Sequence, residues 1–213
     1  MLHAFQGAPS DGAQPNGTPF LTSSGTLYGT TTFGGESGKG ATFAVTSSTS
    51  GYSERLLYSF NGGKKDVANP EGGVISDSQG NLFGTGQSSG TKNRGGVFKL
   101  SAVGAAYKES LLYSFKGGKS DGFGPITALT EDGAGNLYGT TPDGGTYSGG
   151  IAFELSPPSS GKKYIETILV MFDTKSGGGV PKGGLLLGAG NVLYGTALEG
   201  GTDGVGVAFK VTI

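Results

Sequence analysis

One short phrase, written four times at nearly constant spacing, constrains this chain more than any other feature. It reads GTLYGTT at residues 25–31, GNLFGTG at 80–86, GNLYGTT at 135–141 and NVLYGTA at 191–197. Its central glycine falls at Gly29, Gly84, Gly139 and Gly195, so the spacing holds to within one position across the chain. A proline stands at one fixed offset before each (Pro15, Pro70, Pro125, Pro181) and a phenylalanine at the same offset after (Phe43, Phe98, Phe153, Phe209). A second phenylalanine closes an apolar run in each unit: Phe5, Phe60, Phe115 and Phe172. A period of roughly 50 residues belongs to propellers and related arrays, whose units bury their apolar faces against one another.

Each unit reads as four short strands. In the second they are GGVIS (72–76), NLFGT (81–85), GVFKL (96–100) and ESLLYSF (109–115), joined by turn-rich segments. Alternation in ATFAV and GVFKL suits strands with one face buried, and no segment shows a helical apolar period. The chain therefore reads as all-β with about sixteen strands. Composition agrees: 45 glycines among 213 residues would suggest disorder, but they lie between compact apolar runs, where turns belong.

The chain ends carry a further expectation. Residues 2–5, LHAF, match the end of a fourth strand, whereas residues 206–213 match a third strand, after which the chain stops. The reading is a four-bladed β-propeller, a single domain over 1–213, closed by the N-terminal strand completing the last blade. The blades span about 15–60, 70–115, 125–172, and 181–213 plus 2–5. In each the first strand lines the axis and the fourth is outermost. The LYGT phrase is then mainly structural: its leucine and aromatic residue (Tyr28, Phe83, Tyr138, Tyr194) face opposite sides of a blade, and its glycine permits a close backbone approach or a bend.

These units resemble the GloVer repeat of bacterial choice-of-anchor tandem repeat proteins. The resemblance rests on the GNLYGTT core, GGVFKLS, the ESLLYSF strand, and GG with DG in the following loop, and it covers essentially the whole chain. It implies a propeller-like fold in a secreted or surface-anchored bacterial protein, and it implies little chemistry. No signal or anchor segment is visible in these residues.

Composition narrows the function classes. Net charge is −1 with no basic run, which argues against nucleic acid. There is no cysteine and one histidine, so thiolate sites, histidine-rich zinc sites and a Ser-His-Asp triad have little to draw on. No apolar stretch approaches a membrane span. GESGKGA at 35–41 lacks the phosphate-loop pattern and is followed by no helix. A monomer with no metal and no cofactor is expected, although the acids below are compatible with a channel cation.

Function should lie where the repeats differ. Two loops of each unit, that between the second and third strands and that leading to the next blade, are expected on one face around the channel mouth. In the between-blade loops Asp11, Asp66 and Asp121 lie at one offset after the marker phenylalanine, with Gly178 in the fourth place. Turn capping and a ring of ligand-binding acids are both open for them. After the marker proline stand Asn16, Glu71, Ile126 and Lys182; Glu71 and Lys182 belong to opposite blades and suit a salt bridge or a polar site. In the loops between strands two and three, aligned positions hold Phe33, Ser88, Asp143 and Glu199; then Ser37, Lys92, Tyr147 and Asp203; then Lys39, Arg94, Gly149 and Val205. Phe33, Phe123 and Tyr147 are aromatics in glycine-rich loops with no evident core to fill.

The ligand set is therefore Asp11, Phe33, Asp66, Glu71, Asp121, Phe123, Tyr147 and Lys182. Aromatics beside carboxylates suit carbohydrate or another small polar ligand. A glycoside hydrolase or lyase would instead pair two carboxyls, about 5–5.5 Å or about 6.5–9.5 Å apart, with Glu71, Asp143, Glu199 and Asp203 as candidates, alongside the loop aspartates Asp11, Asp66 and Asp121. A purely structural repeat module is the third reading. His3, in the closing strand, reads as a packed residue rather than a ligand.

Overall fold

A computed structural model describes residues 1–104, 106–159, 163–175 and 177–213. The described residues contain no helix. The first repeat contributes β1 (Gly12–Leu21), β2 (Leu27–Gly34), β3 (Ala41–Ser48) and β4 (Gly51–Ser59). The second contributes β5 (Val67–Ala68), β6 (Val74–Ser76), β7 (Leu82–Gly86), β8 (Ser88–Ser89), β9 (Gly96–Val103) and β10 (Ala106–Ser114). The third contributes β11 (Gly122–Phe123), β12 (Thr130–Glu131), β13 (Leu137–Thr141), β14 (Asp143–Gly144), β15 (Ile151–Ser156) and β16 (Ile165–Met171). The fourth contributes β17 (Leu186–Gly188), β18 (Val192–Ala197) and β19 (Val207–Thr212).

These strands form four antiparallel meanders in the arrangement of a four-bladed propeller: β1-β2-β3-β4, β6-β7-β9-β10, β12-β13-β15-β16 and β17-β18-β19. Two small ribbons, β5–β8 and β11–β14, stand beside them. First strands adjoin at the axis. A Cβ on Gly17 would lie 2.4 Å from the Glu71 carbonyl oxygen, and one on Gly72 2.2 Å from that of Thr127. Side chains here would push the sheets apart.

Three buried clusters cement successive blades. Between the first and second lie Phe60, Val74, Leu82, Phe98 and Leu100, with Tyr28 packed against them. Phe83, Phe115, Leu137 and Phe153 fill the next interface, and Tyr138, Phe172, Leu185 and Leu193 the third. The phrase itself explains the pattern. Its leucine looks back toward the preceding blade, and its aromatic residue looks forward to the next. The phrase glycine pairs with the marker phenylalanine of the third strand, as Gly29 with Phe43 and Gly84 with Phe98. That ring lies over the glycine, so a Cβ there would meet it at 2.4–2.6 Å in all four repeats. An aromatic ring makes the close approach, rather than a neighbouring backbone. Threonine hydroxyls add ties across the interfaces: Thr85 donates to the Thr127 carbonyl at 2.8 Å and Thr140 to that of Gly183 at 3.2 Å.

The expected closure is not made. Among the described residues, 2–5 belong to no strand and β19 is paired with β18 alone, so the fourth sheet has three strands. The segment keeps the junction contacts of a fourth strand instead. His3 bonds Asp11, and the Phe5 ring packs edge-on against Phe43 at 4.9 Å, as Phe60 packs on Phe98 at 4.8 Å. Those contacts tie residues 2–5 to the first blade, and no ladder joins them to β19. The other fourth strands are seven to nine residues long.

Candidate functional site

The two variable loops do meet on one rim. Between-blade segments pair with the start of each strand two–three loop: Ala13 with Phe33, Ala68 with Ser88, Phe123 with Asp143, and Gly179 with Glu199. Neighbouring loops are then bonded in series. Asn69 donates its N–H to the Lys39 carbonyl, Gly124 to that of Arg94, and Val180 to that of Gly149, at 2.8–2.9 Å. The residues that vary at these positions thus sit on a scaffold whose main chain is bonded alike at the three junctions between successive repeats.

Phe33 and Tyr147 remain 43% and 58% exposed on this rim, and Asp143, Glu199 and Asp203 are exposed as well. Phe123 is half-buried beneath the Arg94 guanidinium, whose carbon lies 4.7 Å from the ring centre. The arginine stem and charge cover that ring. Glu71 and Lys182 approach each other near the axis. Burial raises the Glu71 carboxyl above its usual range, the Lys182 ammonium opposes that shift, and the two form no direct ion pair.

Asp11, Asp66 and Asp121 point elsewhere. Each is buried at the junction between one blade and the next. One oxygen of Asp66 accepts the Asn61 N–H at 2.7 Å and the Tyr58 hydroxyl at 3.1 Å, and the other accepts the Val67 N–H at 2.7 Å. Asp121 does the same with Lys116, Tyr113 and Gly122, and Asp11 with Gln6, His3 and Gly12. Of the two readings open in the sequence, this geometry is turn capping. Burial alone would raise Asp11, but the bonds from Gln6, His3 and Gly12 outweigh it and hold the carboxyl low. Asp66 is pushed up by burial against the same kind of bonds.

Beside these junctions stand three carboxyls that the sequence reading passed over: Glu54, Glu109 and Glu166. Each has one oxygen, Oε1, buried without a hydrogen-bond partner. Burial, with Asp66 nearby, pushes Glu109 up to about 8. Burial also pushes Glu166 up to about 7, opposed by its bond to Tyr113 and reinforced by Asp121. The Tyr113 hydroxyl lies 3.0 Å from Asp121 and 2.6 Å from Glu166. A phenol has one proton to give. The hydroxyl can therefore donate to only one of these two carboxyls at a time. All three glutamates stand at the same offset before the marker phenylalanine, a recurrence visible in the sequence. It gave no functional signal, because a charge on an outer strand reads as solvated surface. Near the first junction, the ligand atoms of His3, Asp11 and Glu54 lie within 4.8 Å of one another and could hold a cation. Tyr58 and Tyr113 occupy the histidine's place in the next two repeats, which ties that place to the junction bond.

The fold and rim together define a four-bladed β-propeller built from tandem glycine-rich repeats, with variable loops displayed at one end. A family model described as the Gloeobacter/Verrucomicrobia repeat matches residues 1–209, and the chain belongs to that family. No curated protein matches the chain. Among solved structures it is similar to a GH43 endo-arabinanase from Bacillus licheniformis, at 15% identity and a TM-score of 0.48, over 92% of this chain and 71% of that one. This is a likeness in the course of the chain. No helix among the described residues is long and apolar enough to cross a membrane.

Proposed function

We propose that the loop rim binds carbohydrate, in a protein displayed at or beyond the bacterial cell surface. The observation that carries this is the pair of exposed rings, Phe33 and Tyr147, held on glycine-rich turns whose backbone is bonded in the same way in successive repeats. Such rings offer flat apolar area at little entropic cost and suit the C–H face of a pyranose or furanose. Asp143, Glu199 and Asp203 on the same rim can accept sugar hydroxyls, and Glu71 with Lys182 adds a polar patch toward the axis. The junction aspartates do not enter this reading, since their oxygens already accept main-chain bonds.

The test is a panel of plant and microbial glycans, read by the ligand-dependent rise in melting temperature. A saturable rise is expected, with Phe33→Ala and Tyr147→Ala each weakening affinity by about tenfold, or ~1.4 kcal/mol. A panel that shifts nothing would refute the proposal. Mass analysis of the same mixtures separates binding from hydrolysis. Soluble products that vanish in a Glu71→Ala or Glu199→Ala variant would make the rim a hydrolytic site.

A further inference from the structure

The fourth sheet is left open in two ways. Its forward face is bare. Tyr28, Phe83 and Tyr138 pack into the following blade, but the equivalent Tyr194 is 46% exposed, its cross-strand partner Leu186 is 70% exposed, and Val205 in the loop before β19 is 85% exposed. Its outer edge is also open: among the described residues, β19 pairs only with β18. Beside that edge runs a groove of about 260 Å³, lined by Val170, Met171, Phe172, Phe209 and Val211 with Tyr147 at its border. This is where β4, β10 and β16 run in the other blades.

The opposite end of the molecule carries the complementary surface. Pro70, Pro125 and Pro181 are buried, whereas the equivalent Pro15 is exposed together with residues 16–19. Gln14 holds φ +55°, matching Asn69 (+56°), Gly124 (+67°) and Val180 (+56°), the residues whose N–H groups bond the preceding blade. Residues 2–5 repeat the end of a fourth strand, aligning Leu2 and Phe5 with Leu57 and Phe60.

We propose that the open side of the fourth sheet docks the first blade of a second copy of this chain, head to tail. The second copy's residues 2–5 add the missing strand along β19 and fill the groove, by strand addition. Its first sheet covers Tyr194 and Leu186 as each blade covers its predecessor. Three established interfaces supply the template. By their register, the N–H of the second copy's Gln14 meets the Val205 carbonyl, as Gly124 meets Arg94. The Thr196 hydroxyl reaches the second copy's Gly17 carbonyl, as Thr85 reaches Thr127. A net charge of −1 sets no appreciable repulsion against it. The contact is heterologous, so it leads to rings or filaments rather than a closed pair. The monomer expected from sequence is the opposing outcome of the test below.

Sedimentation of the 213-residue chain across a wide concentration range tests this. Mass should rise with concentration. Tyr194→Glu with Leu198→Asp removes the tail surface, and Leu2→Asp with Ala4→Asp removes the head strand; all four side chains are exposed, so folding should persist. Each double variant should stay monomeric alone, and a mixture of the two should form a dimer through the intact head of one and tail of the other. A wild-type chain that is monomeric throughout, or a mixture that does not pair, would overturn the proposal. A cross-link gives an independent reading. Ser114 pairs with Gly96 and Ser59 with Ala41, so the second copy's Ala4 should lie opposite Val207. In this cysteine-free chain, Ala4→Cys with Val207→Cys should oxidise to covalent dimers and larger species. An intrachain disulfide in a monomer would show instead that the ring closes on itself, and would sink the proposal.

Discussion

At Gly84 one added methyl group would land 2.6 Å from the Phe98 ring, within a fully buried interface. Gly84→Ala should therefore cost about 1–3 kcal/mol through overpacking. Gly133→Ala, with open space and no positive φ, should be neutral or stabilising by about 0.4–1 kcal/mol. Urea denaturation of both variants checks the contrast. The buried glutamates set a pH dependence. Glu109 titrates near 8 in the folded chain, against 4.5 ordinarily, and Glu166 near 7. Between these values the folded protein holds protons that the unfolded chain releases. Stability from these groups is complete below pH 4.5 and is lost as pH rises through 7 and 8. Melting temperature should fall over that range, and Glu109→Gln should flatten the fall. Asp66→Ala should cost about 1–3 kcal/mol, since it strips three donors of a buried acceptor. The aspartates were visible in the sequence as a spaced series, but their meaning was not. Turn and ligand readings share the same residue type, and only the Tyr58 and Tyr113 hydroxyls and the main-chain N–H groups around them separate the two.

Strands carry the next scale. Phe98→Ala in β9 should cost about 3–5 kcal/mol, the range for a fully buried ring. Phe209→Ala in β19 should cost visibly less, because that ring is only half-buried and borders the open groove. Denaturant midpoints of the two variants would show whether the terminal blade is packed as loosely as its exposure indicates. Val180 holds φ +56°, which suits glycine and strains a β-branched residue. Val180→Gly should relieve strain of order ~1 kcal/mol, less the added freedom of the unfolded chain. Strand positions were legible because alternation is a local property: GVFKL and ESLLYSF lie within β9 and β10 almost as read. The inner strand GGVIS is shorter than expected, beginning at Val74. Gly72 and Gly73 are taken up in close approaches to neighbouring sheets, which no single strand announces.

For the molecule as a whole, the four-bladed order follows from the repeat, and the state of its ends does not. The chain by itself determined the period, the number of blades, which residues face forward and back, and which loops share the rim. All of these follow from contacts within one repeat or between one repeat and the next, and each copy of the repeat writes those contacts again. Tertiary structure alone decided the rest. Whether the first and last blades touch depends on the angle accumulated over the whole set of sheets, which no single repeat contains. The Tyr113–Glu166 bond likewise joins residues from different repeats, which meet only once the sheets have stacked. The exposure of Phe33 and Tyr147 is of the same kind, because a ring in a loop is a binding surface only if nothing else in the fold covers it.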